Sequence, residues 1–209
     1  MIKGIKHIIF DLGGVLLNVD YSLTEQAFAE MDIPDFKMLF SQAQQTQLFD
    51  KFEMGLIGRE EFIKTLQEIS PLPISKEQII KAWNAMLQDY PLRRLQILQQ
   101  LRLYYDLFLL SNTNEIHEEA FNKILMDTRG MPNLGVFFDR VYLSHRVGLR
   151  KPMKEIFQLV LDENSLKAEH TLFIDDSIQH IEGAKLLGIQ TIHLKKGMTI
   201  EEDIFKPKN

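Results

Sequence analysis

Residues 7–16 read H-I-I-F-D-L-G-G-V-L, a short apolar run that ends at Asp11 and a pair of glycines. Further apolar runs stand at 107–110 before Ser111, 141–143 before Ser144, 172–174 before Asp175, and 191–194. Such runs are typical of parallel strands buried on both faces, with helices between them. Ligands bind these sheets beyond the carboxyl ends of the strands. The sequence therefore predicts an α/β fold whose polar clusters meet in one crevice.

An insertion interrupts the alternation between the first two predicted strands. About 95 residues separate Asp11 from Leu107, whereas a crossover between parallel strands needs only about a dozen. Because the intervening residues are helical in pattern, we expect residues 18–90 to form an inserted helical subdomain. Residues 1–17 and 91–209 would then form the core.

Helix start signals support this division. Ser22 and Ser75 are each followed three residues later by glutamate or glutamine, which is the pattern of a capping box. Pro91 opens an amphipathic stretch at 92–103, which we expect to be the helix that returns the chain to the sheet.

The composition restricts the classes of partner. With 209 residues, 45% of them hydrophobic, the chain can build a well-developed core. A net charge of −5 argues against nucleic acid or an anionic membrane as the main partner. The absence of cysteine excludes a disulfide scaffold and any metal held by thiolates. Because no signal-peptide or membrane-spanning pattern is present, a cytoplasmic location is expected.

Asp175 and Asp176 carry the clearest chemical signal. Adjacent carboxylates at the end of an apolar strand repel each other unless a cation lies between them, so a hard-cation site is favoured over an exposed turn. Asp11, Ser111 and Lys151 are ordinary when each is taken alone. They fit a capped turn, a helix N-cap and a surface lysine at least as well as they fit a reactive site.

Taken together, these clusters resemble the four signature motifs of the haloacid dehalogenase superfamily in order and spacing. The stretches that carry the resemblance are L-L-S-N-T-N at 109–114, Y-L-S-H-R-V-G-L-R-K-P at 142–152 and F-I-D-D-S at 173–177. The chain is most similar to the branch with a helical cap inserted after the first motif, and residues 49–62 resemble the cap of that branch. The branch includes sugar-phosphate phosphatases and the N-terminal domain of epoxide hydrolases. The resemblance implies a Rossmann-like parallel sheet as the core.

The resemblance implies a covalent route for phosphate transfer. Asp11 would attack phosphorus and form an aspartyl-phosphate. Ser111 and the backbone amide of Asn112 would hold the phosphoryl oxygens. Lys151 would offset the charge of the nucleophile and the phosphate together, because two anions approach each other only with such help.

The same resemblance implies a Mg²⁺ cofactor and its ligands. Asp11, Asp176 and the carbonyl of Gly13 would bind the ion directly. Asp175 would lie beside it or act through water. Oxygen ligands of this kind suit Mg²⁺, which retains several waters of its own.

Gly13 is the main departure from the family pattern. Most phosphatases of the superfamily have a second aspartate there as general acid for the leaving group, which is typically worth about 10²–10⁴ in rate. The leaving oxygen must then depart as an anion or take a proton from water or a cap residue. Without a positioned acid, the rate should depend steeply on leaving-group acidity, and sugar 1-phosphates should react faster than 6-phosphates. Met153 and His180 also depart from the branch, and the sequence gives neither a role.

Three functions remain open at this point. The first is a phosphatase acting on a small-molecule phosphate ester, with a sugar phosphate as the expected substrate. The second is a 2-haloacid dehalogenase, which would use Asp11 and Lys151 but has no use for a cation-binding pair of aspartates. The third is a non-catalytic protein that binds a phosphate ligand, for which Gly13 is the only support. Trp83 is expected in the core of the cap, and His117 beside the catalytic loop.

Overall fold

The computed structural model describes residues 2–31, 33, 40–41, 44–45 and 47–206. A five-stranded parallel sheet forms the core, in the order β5-β4-β1-β6-β7. Its strands are β1 His7–Phe10, β4 Asp106–Ser111, β5 Arg140–Leu143, β6 Thr171–Asp175 and β7 Gln190–His193. A short antiparallel pair, β2 Phe40–Ser41 and β3 Gln44–Gln45, lies in the insertion. The predicted α/β fold with a Rossmann-like parallel sheet is confirmed.

Burial on both faces explains why the strands are continuously apolar. Along β1, Ile8 and Phe10 belong to the hydrophobic cluster on one face of the sheet, and Ile9 belongs to the cluster on the other. Phe10 lies opposite Leu109 of β4 and Ile174 of β6. The carboxyl ends of these three central strands therefore lie side by side.

Helices cover the sheet and fill the insertion. In chain order they are α1 Tyr21–Ala29, α2 Gln47–Glu53, α3 Arg59–Ile69, α4 Lys76–Asn84, α5 Leu92–Leu101, α6 Glu115–Arg129, α7 Ser144–Val147, α8 Lys154–Glu163 and α9 Ile178–Lys185. Short 3₁₀ segments at Leu134–Val136 and Ala168–His170 and a π-helical turn at Ile200–Ile204 complete them. In the described part of the chain, no helix has the length and apolar character needed to span a bilayer.

Helices α1–α4 share a hydrophobic cluster of their own. At its centre, the ring of Trp83 contacts the rings of Phe28, Phe49 and Phe62. Trp83 is almost fully buried in this cluster. The cluster is separate from the two that flank the sheet, so the insertion has its own core.

One of the two predicted capping boxes is present in the insertion. At α4, Ser75 accepts a hydrogen bond from the backbone of Gln78, and the Gln78 side chain accepts one in return. The prediction at Ser22 is wrong. The cap of α1 is Asp20, whose carboxylate accepts from the Ser22 amide at 3.0 Å. An aspartate two residues upstream therefore takes the capping position and places Ser22 inside the first turn.

The two connections between the insertion and the core pair with each other. The Asn18 amide donates to the Asp89 carbonyl at 2.9 Å, and the Asp20 amide donates to the Met86 carbonyl at 2.9 Å. The Asn18 side-chain oxygen also accepts from Arg94 at 3.0 Å. Entry and exit of the chain thus form one short antiparallel ladder.

Candidate active site

A cavity of about 310 Å³ opens at the carboxyl ends of the central strands, between the sheet and the insertion. This volume lies at the small end of ligand pockets. Most of the site residues predicted from the sequence line it, namely Asp11, Gly13, Ser111, Asn112, Lys151 and Asp176. The side chain of Asp175 lies beneath them and is fully buried. The fold therefore brings residues from four distant parts of the chain to one place.

Lys151 is the centre of the charge arrangement. Its side chain is fully buried, and its ammonium group donates to Asp11 Oδ1 at 2.6 Å and to Asp175 Oδ2 at 2.7 Å. The ammonium also lies 5.4 Å from the centre of the Phe173 ring. Burial alone would lower the pKa of Lys151, but the two carboxylates raise it overall. The lysine is therefore a fixed positive charge at the floor of the cavity.

One lysine does not balance the carboxylates around it. Asp11, Asp175 and Asp176 each offer an oxygen, and these oxygens lie within 4.8 Å of one another. Burial raises the pKa of Asp11 to about 7, against the opposing charge of Lys151. Burial and the neighbouring Asp175 raise the pKa of Asp176 to about 6. Such an excess of buried negative charge fits a hard divalent cation, which would favour the ionised carboxylates.

The turn after β1 is shaped around Asp176. Gly14 has a φ of +71°, and a Cβ there would collide with the Asp176 carboxylate. Only glycine satisfies both constraints at low cost. On the other side of Asp176, His193 Nε2 lies 3.0 Å from its backbone carbonyl. Asp176 is thus held between the glycine turn and the last strand.

The carboxylate of Asp175 forms hydrogen bonds with several neighbouring groups of the protein. Besides Lys151, its oxygens contact the Ser177 amide at 2.7 Å and His180 Nδ1 at 3.0 Å. Burial would raise the pKa of Asp175, but Lys151 and His180 hold it below its usual range. His180 is therefore a hydrogen-bonding partner of Asp175, a contact that the sequence did not predict.

The loop after β4 is braced against Lys151. The Asn112 side-chain oxygen accepts from the Lys151 amide at 2.9 Å, and its NH₂ group donates to the Lys151 carbonyl at 2.9 Å. Ser144 ties the same loop down, accepting from the Thr113 amide and donating to the Thr113 carbonyl. Ser111 is buried at the end of β4. The side chain of Asn112 is therefore engaged in fixing Lys151.

Trp83 and His117 join the insertion to the core at the cavity wall. Their rings stack with centroids 4.8 Å apart, and the Trp83 indole donates to Asn114 at 3.3 Å. His117 Nε2 lies 3.0 Å from the Trp83 carbonyl, which requires Nε2 to be the donor. Burial lowers the pKa of His117 to about 4, so the ring is neutral at physiological pH. This contact joins residues 34 positions apart, and no local pattern in the sequence signals it.

Ion pairs also cross between the insertion and the core. Arg150, next to Lys151, pairs with Asp50 at 2.5 Å and with Glu53 at 2.9 Å, both on α2. All three line the cavity. On α3, the backbone amide of Arg59 donates to Glu115 of α6 at 2.7 Å. No local pattern in the sequence signals these pairs.

Comparisons with known proteins agree on one family. The family model described as haloacid dehalogenase-like hydrolase matches residues 5–188. The chain is 30% identical over 200 residues to a D-ribitol-5-phosphate phosphatase of Bacteroides thetaiotaomicron, covering 96% of this chain and 97% of the relative.

Solved structures show the same likeness. A HAD family enzyme of Bacteroides thetaiotaomicron in complex with magnesium and inorganic phosphate is 35% identical, with a TM-score of 0.84 over 92% of this chain and 96% of that one. A predicted HAD-like family hydrolase of Porphyromonas gingivalis is 31% identical, with a TM-score of 0.83 over 96% and 94% of the two chains.

Proposed function

This chain belongs to the haloacid dehalogenase-like hydrolases, and from that membership we propose that it is a Mg²⁺-dependent phosphatase of a small sugar or polyol phosphate. The observation that carries the proposal is the fully buried Lys151 between Asp11 and Asp175, with the third carboxylate, Asp176, at the floor of the same small cavity. A lysine and a cation site around one carboxylate suit the transfer of a doubly charged phosphoryl group.

Asp11 is the nucleophile of the proposed reaction. Its carboxylate attacks phosphorus in line with the leaving oxygen and forms an aspartyl-phosphate, which water then hydrolyses. Lys151 holds Asp11 in place and offsets the charge of the phosphoryl group. The Ser111 side chain and the backbone amide of Asn112 bind the phosphoryl oxygens, because both residues line the cavity beside Lys151. Asp175 positions the lysine.

The cofactor is Mg²⁺, and Asp11, Asp176 and the Gly13 carbonyl would hold it. When bound, the ion supplies positive charge that lets an anionic nucleophile approach an anionic phosphate. The excess of buried carboxylates around Asp176 supports this assignment.

Two observations support a small polyhydroxylated substrate. The cavity of about 310 Å³ leaves room for a small metabolite, and its wall carries polar groups such as Asp50, Glu53 and Gln179 beside apolar ones such as Met86. Polar groups of this kind form hydrogen bonds with hydroxyl groups. The relative named as a ribitol-5-phosphate phosphatase acts on a phosphate ester of this class.

The first prediction is that the purified protein releases phosphate from sugar and polyol phosphates in the presence of Mg²⁺. A panel that includes ribitol 5-phosphate, pentose 5-phosphates, hexose 6-phosphates and hexose 1-phosphates, with 2-chloropropionate assayed for chloride release, checks it. EDTA should abolish the phosphate release, and Mg²⁺ should restore it. Chloride release that persists in EDTA would instead support the dehalogenase.

Asp176→Ala provides the metal-specific arm of this experiment. We expect loss of turnover together with weaker Mg²⁺ binding by calorimetry, because one of the proposed direct ligands is removed. Asp203→Ala is the matched control. It replaces an exposed aspartate that does not line the cavity, so it should keep both turnover and Mg²⁺ binding. Full turnover by Asp176→Ala would contradict the proposed metal site.

We propose that residues 18–90 act as a cap that closes over the cavity. The paired connections at 18–20 and 86–89 are its hinges, and the ion pairs of Arg150 hold it closed. Closure excludes water from the reacting groups, which strengthens the electrostatic interactions inside.

The second prediction is that Arg150→Gln favours the open cap. Hydrogen bonds to charged groups are worth about 1.5–3 kcal/mol. Losing those of Arg150 should therefore reduce the population of the closed form, and kcat/KM with it, by roughly tenfold or more. Limited proteolysis with and without beryllofluoride should show faster cleavage at the hinges in the variant. Arg102→Gln, which removes a half-exposed surface arginine, is the control. An unchanged cleavage rate in Arg150→Gln would exclude this role for Arg150.

A further inference from the structure

Tyr21 lies where the general acid of related enzymes would be expected. It is the first residue of α1, and its side chain lines the cavity together with Asp11 and Gly13. A Cβ placed on Gly13 would lie 4.0 Å from the Tyr21 hydroxyl oxygen and 3.4 Å from a methyl group of Val19. The phenol therefore stands in the region that a carboxylate on residue 13 would reach.

A phenol is chemically suited to this position. Tyrosine has an ordinary pKa of about 10, so it carries its proton at neutral pH and is more acidic than a sugar alcohol. Tyrosine is among the side chains that serve as general acids. An ester of a primary alcohol needs such help most, because its leaving oxygen would otherwise depart as a strongly basic alkoxide.

We propose that the Tyr21 hydroxyl is the general acid of the phosphatase reaction, supplied by the cap in place of the side chain that Gly13 lacks. This inference rests on the proposed phosphatase function. Asp11 forms its bond to phosphorus while the bond from phosphorus to the leaving oxygen breaks. The electron pair of the broken bond goes to the leaving oxygen, which takes the proton of Tyr21 and leaves as the alcohol. Tyr21 is left as the phenolate.

The second half of the reaction restores the proton. Water attacks the phosphorus of the aspartyl-phosphate, and the phenolate takes one of its protons. The other proton stays on the released phosphate, and Asp11 is again a carboxylate. The charge on both sides of each step is then equal, and no further reactant is needed.

The position of Tyr21 links the acid to closure of the cap. Asp20, its neighbour, is hydrogen-bonded to the Met86 carbonyl in the ladder that connects the insertion to the core. Tyr21 itself packs against the hydrophobic cluster of the insertion. The phenol therefore moves with the cap, and the acid reaches the leaving group only when the cap is closed.

The test is the dependence of kcat/KM on leaving-group pKa, measured for native protein and Tyr21→Phe. The series runs from 4-nitrophenyl phosphate through phenyl phosphate to alkyl phosphates, including polyol phosphates. Since kcat/KM reports steps up to departure of the alcohol, native protein should show a shallow slope. Tyr21→Phe should show the steep slope that the sequence predicts for a site without a positioned acid. Alkyl phosphates should lose about 10²–10⁴ in the variant, and 4-nitrophenyl phosphate should change less than about threefold, since it needs no acid.

Tyr104→Phe is the matched control, because it removes a hydroxyl from an exposed tyrosine and should follow the native slope. Equal slopes for native protein and Tyr21→Phe would overturn the proposal. An equal loss on aryl and alkyl phosphates would also overturn it, because the hydroxyl would then only position groups. If native protein hydrolysed no member of the series with Mg²⁺, the phosphatase function itself would fail, which distinguishes the two.

Discussion

Replacing Asp11 by asparagine should reduce kcat by at least about 10⁴, since removal of an enzymatic nucleophile costs several orders of magnitude. The amide cannot form the covalent bond to phosphorus. The variant should remain folded, because Lys151 keeps its contact with Asp175. Asparagine also removes a carboxylate that is costly to ionise, as the pKa of Asp11, raised to about 7 by burial, indicates.

The raised pKa of Asp11 determines how Asp11→Asn changes the stability of the fold. A carboxyl group whose pKa is higher in the folded state than in the unfolded state stabilises the fold below its unfolded pKa, near 3.8. That contribution is lost as pH rises through about 7. At pH 8 without Mg²⁺, Asp11→Asn should therefore melt at the same temperature as native protein or higher.

Steady-state assays and thermal unfolding check both parts of this prediction. Asp162→Asn, an exposed aspartate on α8, is the matched control and should change neither activity nor melting temperature. Beryllofluoride, a mimic of the aspartyl-phosphate, should raise the melting temperature of native protein and leave that of Asp11→Asn unchanged. Near-native turnover by Asp11→Asn would rule out the covalent mechanism.

Replacing Lys151 by methionine should abolish activity and destabilise the protein strongly. Methionine retains much of the side-chain volume, so the loss comes from the charge. Removing one partner from a buried ion pair costs about 3–5 kcal/mol, and here Asp11 and Asp175 both lose a partner. Lys123→Met, which breaks an exposed pair with Asp127, should cost only about 0.5 kcal/mol or less.

The destabilisation by Lys151→Met should increase with pH. Without the lysine, the pKa values of the buried carboxyls in the folded state rise further, so these groups stay protonated in mildly acidic solution and must ionise as pH increases. Urea unfolding at pH 5 and pH 8 measures the difference. In the double variant Lys151→Met/Asp175→Asn, part of the stability should return, and activity should not. Native-like stability of Lys151→Met at pH 8 would contradict the charge arrangement described here.

The central sheet could be predicted from the sequence because its signals are local. Each strand is an apolar run that ends in a polar residue, so Asp11, Ser111 and Asp175 could be placed at strand ends from short windows of sequence. The contacts of the insertion could not be predicted in the same way. Arg150 meets Asp50 across about a hundred residues, and nothing near either residue records that pairing.

The Ser22 prediction failed for a related reason. Both Asp20 and Ser22 are residue types that can cap a helix. The backbone conformation where the chain leaves the core decides which of them does so. There the Asp20 amide is held by the Met86 carbonyl. His180 could be located on the sequence but had no predicted role, since its contact with Asp175 depends on the side-chain geometry at the end of β6.

The amide contact between Arg59 and Glu115 has a consequence for how such proteins diversify. The N-cap of helix α3 is Gly58, which has no side chain to accept from the first amides of the helix. Glu115, in the first turn of α6, accepts from that terminus instead. A chimera that grafts the insertion of this chain onto a relative's sheet domain would leave the helix uncapped unless the recipient has an acidic residue at the matching place. The insertion should therefore transfer only to a sheet domain that supplies this acceptor, and replacing Glu115 should weaken a helix in the other part of the molecule.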